Sequence, residues 1–238
     1  MSVFALPGGL LPVQTEPWID RAFLNARYLL YTMRRMWWKS LWNLAVRGLE
    51  NLPRRGPMIL CSNHTSHLDA PAILASLPVE MALDTRTAAA ADVFGDFSLL
   101  GIWGKLATNC IPVERNADYA LGLRQLETVL RERRPLVMFP EGGRSQNGKL
   151  MEFKLGASLL SMRTGAPVIP VRIRGTYSAL PRESWLPCPS DVTVCFGEPI
   201  HPEPYKEAVA AGRYSRKASY ARMTEDLRNA IKAIRLPR

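Results

Sequence analysis

The chain alternates between short apolar runs and segments with helical spacing, and this pattern constrains its fold more than any other feature. The apolar runs have the length and composition of β-strands and cover residues 57–63, 109–114, 135–141, 167–175 and 191–197. Between the earlier runs, helical segments occur around residues 70–77, 96–106, 117–132 and 154–164. Such alternation is typical of α/β domains, in which helices cover a sheet of mostly parallel strands. We therefore predict a central, mostly parallel sheet flanked by helices.

A long amphipathic segment precedes the first apolar run. Its apolar residues recur at steps of three and four, and they are Ile19, Phe23, Ala26, Leu30, Met33, Trp37, Leu41 and Leu44. Tryptophan and basic residues, both frequent in this segment, favour the headgroup zone of a lipid bilayer. One interpretation is therefore a helix that lies on an anionic membrane surface. The other is a core helix that packs on the domain, and the sequence leaves both open.

The chain is predicted to have two parts, separated near a linker rich in turn residues at 48–57. The first part, 1–47, is an N-terminal segment with the amphipathic helix. The second, 48–238, is an α/β domain that ends in a helix over residues 214–234. A length of 238 residues with 47% hydrophobic composition is enough to bury a substantial core.

The net charge of the chain indicates an anionic binding partner. The chain has 31 Lys and Arg residues against 21 Asp and Glu residues, which gives a formal net charge of +10. This excess favours nucleic acid, a phospholipid surface or a phosphorylated substrate. We expect no nucleic-acid binding, because basic residues interleaved with aromatic ones are confined to the N-terminal helix.

Cysteine spacing and hydropathy argue against a zinc protein, a disulfide-stabilised protein and a membrane-spanning protein. The four cysteines lack CxxC spacing, so we expect neither a zinc site nor a disulfide scaffold but reduced cytoplasmic thiols. No apolar stretch reaches the length of about 18 residues that suggests a membrane-spanning helix. The N-terminus lacks the charged region of a secretory signal. We therefore expect a protein that does not span a bilayer.

The first chemical motif is "CSNHTSHLDAPAIL", residues 61–74, at a predicted strand-to-helix junction. A histidine that accepts a proton from a hydroxyl works best when its other ring nitrogen donates to a carboxylate, and His64 in the loop and Asp69 in the first helical turn suit this pairing. An alternative role for Asp69 is helix capping, since Ser66-x-x-Asp69 matches a capping box. We interpret His67 as structural or as part of the pocket rim, and Asn63 as a turn residue.

Two further polar clusters follow predicted strands. "FPEGGRSQNGKLMEFKLGA", residues 139–157, combines two glycines, which let the backbone approach a ligand, with an arginine suited to phosphate. It lacks the spacing of a P-loop. "IPVERN", residues 111–116, ends a strand in Arg115, which on its own resembles a surface charge. Because ligands of α/β sheets bind beyond the carboxyl ends of strands, we expect the three clusters to converge.

In combination, "NHTSHLD", "IPVERN", "FPEGGRS", "FKLGA" and "VIPVRI" closely resemble the glycerolipid acyltransferase family, which includes the 1-acylglycerol-3-phosphate acyltransferases. The resemblance runs from about residue 45 to about residue 200. It implies transfer of a fatty acyl group from a thioester of coenzyme A or acyl carrier protein to a hydroxyl of a lysolipid. The reaction it favours turns 1-acylglycerol-3-phosphate into phosphatidic acid, a step of phospholipid biosynthesis, on the cytoplasmic face of a membrane.

Matching residue by residue assigns the roles that this resemblance implies. His64 becomes the general base and Asp69 the residue that orients it. The acceptor is bound by Arg115, Glu141, Gly142, Gly143, Arg144 and Ser145, with Lys154 as a further cation and Pro170 in a motif tied to the acyl or acceptor pocket. The family commonly has Thr where this chain has Gly143, which weakens the assignment of phosphatidic acid as the product. No metal or cofactor is implied, since the acyl thioester is a co-substrate.

Two other functions remain open from the sequence. A lyso-aminolipid, a glycolipid or a specialised metabolite is an alternative acceptor for the same dyad, with a different loop around Gly143. A basic membrane-binding module without catalysis is an alternative of another class, although such a scaffold has no need of His and Asp at this spacing.

Overall fold

The computed structural model describes residues 17–90, 108–113, 119–181, 184 and 186–236. Within this part of the chain, seven strands form one sheet. They are β1 (Ala45–Arg47), β2 (Ile59–Ser62), β3 (Arg86–Ala90), β4 (Cys110–Val113), β5 (Leu136–Met138), β6 (Val168–Arg174) and β7 (Thr193–Phe196). Their order across the sheet is β1-β7-β6-β2-β5-β3-β4.

The sheet is mostly parallel, and the predicted fold class is confirmed. Only the β6–β7 pair is antiparallel among the paired strands, with Val171 opposite Phe196. β2 lies in the middle, parallel to β5 on one side and to β6 on the other. The carboxyl ends of β2, β5 and β6 therefore meet at one edge of the sheet, and the loops that follow β2 and β5 are neighbours.

The described helices pack on both faces of the sheet. They are α1 (Pro17–Trp42), α2 (Asp69–Ser76), α3 (Val79–Asp84), α4 (Tyr119–Arg131), α5 (Gly156–Thr164), α6 (Thr176–Ala179), α7 (Glu203–Ala210) and α8 (Arg216–Ala233), with a 3-10 turn at Leu49–Asn51. The predicted helices at 70–77, 117–132, 154–164 and 214–234 correspond to α2, α4, α5 and α8. The predicted helix at 96–106 lies outside the described residues.

The central strands are buried on both faces, which explains why they are apolar throughout rather than alternating. In β2, Leu60 packs into one core cluster with α1 and α2 residues, whereas Ile59 and Cys61 pack into the other with α4, α5 and α8 residues. Sequence analysis missed β1 and β3. β1 has three residues, and β3 reads Arg-Thr-Ala-Ala-Ala, with little of the β-branched composition that marks a strand.

The two faces of α1 correspond to the two interpretations of its sequence. Trp38 and Trp42 are buried in the core, and the Trp42 indole N–H donates to the Cys188 carbonyl over 3.0 Å. The Tyr31 hydroxyl donates to the carbonyl of Leu77 at the end of α2. The core-helix interpretation therefore holds for this face, and the opposite face is exposed. Residues 45–47 also join the sheet, as β1 paired with β7. The division of the chain after residue 47 stays a prediction.

No helix within the described ranges combines the length and apolar composition that crossing a membrane requires.

Candidate active site

A histidine and an aspartate form a close pair where β2 gives way to α2. His64 lies in the loop after β2, and Asp69 is the first residue of α2. His64 Nδ1 lies 2.8 Å from Asp69 Oδ2, with Asp69 fully buried and the His64 side chain 18% exposed. Since a carboxylate only accepts hydrogen bonds, Nδ1 carries the proton and Nε2 is left as the basic nitrogen. The sequence-predicted geometry of this pair is present.

Asp69 also organises the loop that carries His64. Its Oδ2 accepts the main-chain N–H groups of Thr65 over 2.6 Å and of Ser66 over 2.9 Å. The bond from Ser66 N–H is one half of a capping box. The other half is missing, because the Asp69 N–H donates to the Ser66 carbonyl while the Ser66 hydroxyl oxygen accepts the Leu68 N–H. Capping and orientation of His64 are therefore compatible roles of one carboxylate. Its place at the α2 N-terminus favours its negative charge.

The ring of Phe139 stacks on the imidazole of His64, with centroids 4.0 Å apart and 20° between the planes. Phe139 follows β5, the parallel neighbour of β2, which brings it beside the loop after β2. The stack fixes the plane of the imidazole, and an aromatic face favours the imidazolium that forms when His64 accepts a proton. Sequence analysis did not single out Phe139, although its position directly after the strand preceding Glu141 was a usable signal.

The Glu141 carboxylate holds the main chain of His64. Its Oε1 accepts the His64 N–H over 2.7 Å, and its Oε2 accepts the Met151 N–H over 2.9 Å. On the other side, Ser145 N–H donates to the His64 carbonyl over 2.8 Å. Burial raises the pKa of the Glu141 carboxyl, and the two N–H bonds oppose that shift. The acceptor-binding role of Glu141 stays a prediction, and its observed contacts hold the main chain at His64 and Met151.

The two glycines of the loop differ in what the fold requires of them. Gly142 has a φ of +72°, and a Cβ there would lie 2.7 Å from the Lys154 Cε and Nζ atoms. The Lys154 ammonium therefore lies against Gly142, as the sequence-predicted cluster implies. At Gly143 an added Cβ would meet nothing within 4 Å. Gly142 is thus required by backbone conformation and contact, whereas Gly143 leaves open space.

Three more predicted residues have distinct places around the pair. Arg144 is half-buried and His67 is exposed, and the charge of Arg144 acts on the His67 ring. Desolvation on its protein side, followed by the charges of Arg144 and His64, lowers the pKa of His67 to about 4, so His67 is neutral at neutral pH. Ser145 is buried, and its hydroxyl donates to the Asn147 side chain over 3.3 Å.

The remaining predicted residues lie in or beyond the strands. Asn63 does more than turn the loop: its amide both donates to the Ile173 carbonyl and accepts the Ile173 N–H, which ties the end of β2 to β6. Pro170 lies within β6, opposite Cys61 of β2. Arg115 lies outside the described residues, so its predicted role stays a prediction. Among the residues that the structure places, no group of three His, Cys, Asp or Glu side chains is arranged to hold a metal ion.

Comparison with known proteins gives consistent matches. Residues 43–174 match the sequence model of the acyltransferase family. A chloroplastic 1-acyl-sn-glycerol-3-phosphate acyltransferase of Brassica napus is 31% identical over 161 residues, which are 66% of this chain and 44% of that protein. A 1-acyl-sn-glycerol-3-phosphate acyltransferase of Limnanthes alba is 29% identical over 203 residues, covering 84% of this chain and 69% of the relative. The chain thus spans less than half the length of the first of these relatives.

A solved structure shares the fold. The crystal structure of the 1-acyl-sn-glycerophosphate acyltransferase from Thermotoga maritima superposes with a TM-score of 0.66 at 24% identity. The superposition covers 92% of this chain and 88% of the Thermotoga chain. The mostly parallel sheet with its flanking helices is therefore the architecture of that protein as well.

Proposed function

This chain belongs to the acyltransferase family, and we propose that it transfers a fatty acyl group from a thioester to the free hydroxyl of a lysolipid. The donor is the thioester of coenzyme A or of acyl carrier protein, and the preferred acceptor is 1-acylglycerol-3-phosphate, which gives phosphatidic acid. The observation that carries the proposal is the 2.8 Å pair of His64 and buried Asp69 beside the glycine-rich loop. The relatives that match this chain bear the name of the same reaction.

The proposed mechanism is a direct transfer. His64 Nε2 accepts the proton of the acceptor hydroxyl as its oxygen attacks the thioester carbonyl, and Asp69 stabilises the imidazolium. Collapse of the tetrahedral intermediate breaks the carbon–sulfur bond, and the imidazolium returns the proton to the departing thiolate. The His64 ring hydrogen-bonds to Asp69 through Nδ1, and among the described residues no serine or cysteine hydrogen-bonds to Nε2, where a side-chain nucleophile would lie. This supports attack by the acceptor itself rather than through an acyl-enzyme.

Several main-chain groups at the site already donate within the protein. The Thr65 and Ser66 N–H groups donate to Asp69, and the Gly142 N–H donates to the Phe139 carbonyl. They are therefore not assigned to the oxyanion of the intermediate. The reaction balances with the thioester and the hydroxyl alone, so we propose that it requires no metal and no cofactor.

The acceptor is proposed to be anionic, because cations line the loop beside the base. The Lys154 ammonium lies against Gly142, and the Arg144 guanidinium is close enough to shift the pKa of His67. A guanidinium binds a phosphate monoester through two parallel hydrogen bonds. Arg115 is proposed to add a third cation.

Replacing Arg144 tests the class of acceptor. Arg144→Ala is expected to raise KM for 1-acylglycerol-3-phosphate about tenfold or more and to leave KM for the acyl donor nearly unchanged, since one charge-assisted contact is lost. Steady-state kinetics with monoacylglycerol, which lacks the phosphate, provide the comparison. Arg163→Ala, which removes an exposed α5 arginine paired with Glu127, is the control variant. An equal rise in KM for both acceptors would show that Arg144 does not bind the phosphate.

A second candidate function differs only in the acceptor. The open space at Gly143 favours a headgroup larger than a bare phosphate, such as that of a lyso-aminolipid or a glycolipid. A panel of lysolipids at equal concentration distinguishes the two. Preference for lysophosphatidic acid supports the first candidate, and preference for a larger headgroup supports the second.

We also propose that α1 holds the enzyme on an anionic membrane, peripherally and on its cytoplasmic face. Leu29, Met33, Met36 and Trp37 recur at i, i+4, i+7 and i+8 and are 59%, 58%, 66% and 55% exposed. A contiguous exposed patch of four large apolar side chains is uncommon on a protein surface and is typical of sites that bind a membrane or another protein. Exposed Lys39 and half-buried Arg35 on the same helix suit anionic headgroups.

Removing the stripe is expected to weaken vesicle binding. Trp37 is left in place because its ring contacts buried Trp42, with centroids 5.0 Å apart. The triple variant Leu29→Ser, Met33→Ser, Met36→Ser is expected to reduce sedimentation with anionic vesicles about tenfold or more, because each side chain loses apolar burial in the lipid. Leu186→Ser, which removes a leucine that is 77% exposed elsewhere, is the matched control. Unchanged sedimentation of a folded triple variant would rule out this face.

A further inference from the structure

We propose that Arg228, on the C-terminal helix α8, is a positioning residue for His64. It acts through two intermediates, the main chain of Met151 and the carboxylate of Glu141. The inference rests on the proposed function only for the role of His64 as the base, and the contacts themselves are independent of the substrate.

Three successive hydrogen bonds connect the helix to the base. Arg228 Nε–H donates to the Met151 carbonyl over 3.3 Å. Met151 N–H donates to Glu141 Oε2 over 2.9 Å, and His64 N–H donates to Glu141 Oε1 over 2.7 Å. The two oxygens of one buried carboxylate thus join the loop at Met151 to the loop that carries the imidazole.

The bond between Met151 and Glu141 depends on the position of the Met151 main chain, which follows an exposed loop. Residues 146–149 just before it are exposed, and the chain turns at Gly148 with a φ of +71°. Leu150 and Phe153 are only partly buried against the core. An exposed loop of this kind opens locally at low cost in free energy. Arg228 supplies a contact from a long, well-packed helix, since Met223, Leu227 and Ile231 of α8 are buried.

Loss of the Met151 contact affects Glu141 directly. The Glu141 side chain is buried, so an Oε2 without its N–H donor is an unsatisfied acceptor. The carboxylate then shifts toward another donor or takes up a proton, and either change weakens its bond to the His64 N–H. A small displacement of the His64 main chain moves Nε2 relative to the acceptor hydroxyl, to which proton transfer is sensitive.

Amide exchange tests the connection without any assumption about activity. In Arg228→Met, which keeps the apolar stem and removes the donor, hydrogen–deuterium exchange measured by mass spectrometry is expected to accelerate about threefold to tenfold in peptides that contain Met151 and His64. Peptides from β1 and β7 are expected to be unchanged. Arg222→Met removes another arginine from α8 whose ion pairs stay within that helix, and it is the matched control. Exchange at His64 equal to that of the parent would overturn the proposal.

Kinetics then test whether the connection matters for the reaction. Arg228→Met is expected to lower kcat about threefold to tenfold with little change in KM, and Arg228→Lys, which retains a donor, to recover part of the loss. In a Glu141→Gln background the effect of Arg228→Met is expected to shrink, because the two residues act in one series. Additive effects, or a loss of kcat with unchanged exchange at His64, would contradict the proposal.

If Arg228→Met does not fold, Arg228→Gln is measured in the same way against the same outcomes. A parent protein inactive on every lysolipid would refute the proposed function and leave the exchange result standing.

Discussion

His64→Ala is expected to lower kcat for acyl transfer about 10²-fold to 10⁴-fold, because the variant loses the group that accepts the hydroxyl proton. The protein is expected to stay folded, since the His64 side chain is partly exposed and its main-chain contacts to Glu141 and Ser145 do not depend on the imidazole. Steady-state rates and a thermal melt measure the two effects separately.

His201→Ala is the control for His64→Ala. His201 is exposed and lies about 4.0 Å from Glu203 at the start of α7, and it makes no contact with the proposed site. This control variant is expected to keep the parent rate. A folded His64→Ala protein with the parent rate would remove His64 from the mechanism.

Asp69→Asn is expected to have the second-largest effect, a loss of kcat of about 10²-fold or more. An asparagine oxygen can still accept the N–H groups of Thr65 and Ser66, so the turn is retained. The oxygen that accepts these two N–H groups also accepts His64 Nδ1–H, so an asparagine oxygen in its place keeps that bond as well. The variant loses the negative charge that stabilises the imidazolium. Nitrogen-15 NMR of the histidine side chains is expected to show the parent tautomer, so that the lower rate reports the lost charge.

The same substitution separates the two roles of Asp69. If the carboxylate served only to cap α2, Asp69→Asn would have almost the parent rate, because asparagine caps helices about as well as aspartate. A near-parent rate would therefore contradict a role of the Asp69 charge in stabilising the imidazolium. A low rate combined with an unchanged melting temperature would support it.

The sheet could be predicted because its central strands are buried on both faces, which leaves apolar runs such as 57–63 and 167–175 that stand out in the sequence. β3 could not be predicted, because its sequence lacks the composition of a strand. Arg86 and Thr87 pair with β5, and the three alanines pair with β4. Its place in the sheet follows from tertiary pairing rather than from local preference.

The dyad could be predicted from spacing, since a loop histidine and a first-turn aspartate five residues later can meet only at a strand-to-helix junction. The contacts of the Glu141 carboxylate could not be predicted. A carboxylate in a glycine-rich turn suggests contact with a ligand, but both of its oxygens accept main-chain N–H groups, one from a residue 77 positions earlier in the chain. Long-range contacts of this kind leave no local pattern in the sequence.

The sequence also could not assign the two faces of the amphipathic helix α1. Its spacing identified α1, but one set of apolar positions cannot distinguish a face that packs on the protein from a face that packs on lipid. The structure assigns Trp38 and Trp42 to the core and leaves Leu29, Met33, Met36 and Trp37 exposed. The core-helix interpretation therefore describes Trp38 and Trp42, and the membrane interpretation of the exposed face stays a proposal.

Product analysis by mass spectrometry tests the proposed acyl transfer most directly. Purified protein is incubated on anionic vesicles with deuterium-labelled 1-acylglycerol-3-phosphate and, in parallel, with an acyl-CoA or an acyl thioester of acyl carrier protein. The expected result is labelled phosphatidic acid with at least one donor, in amounts equal to the thiol released, and none above background with His64→Ala. Absence of labelled phosphatidic acid with both donors, from folded and vesicle-bound protein, would contradict the proposal, as would equal product from His64→Ala.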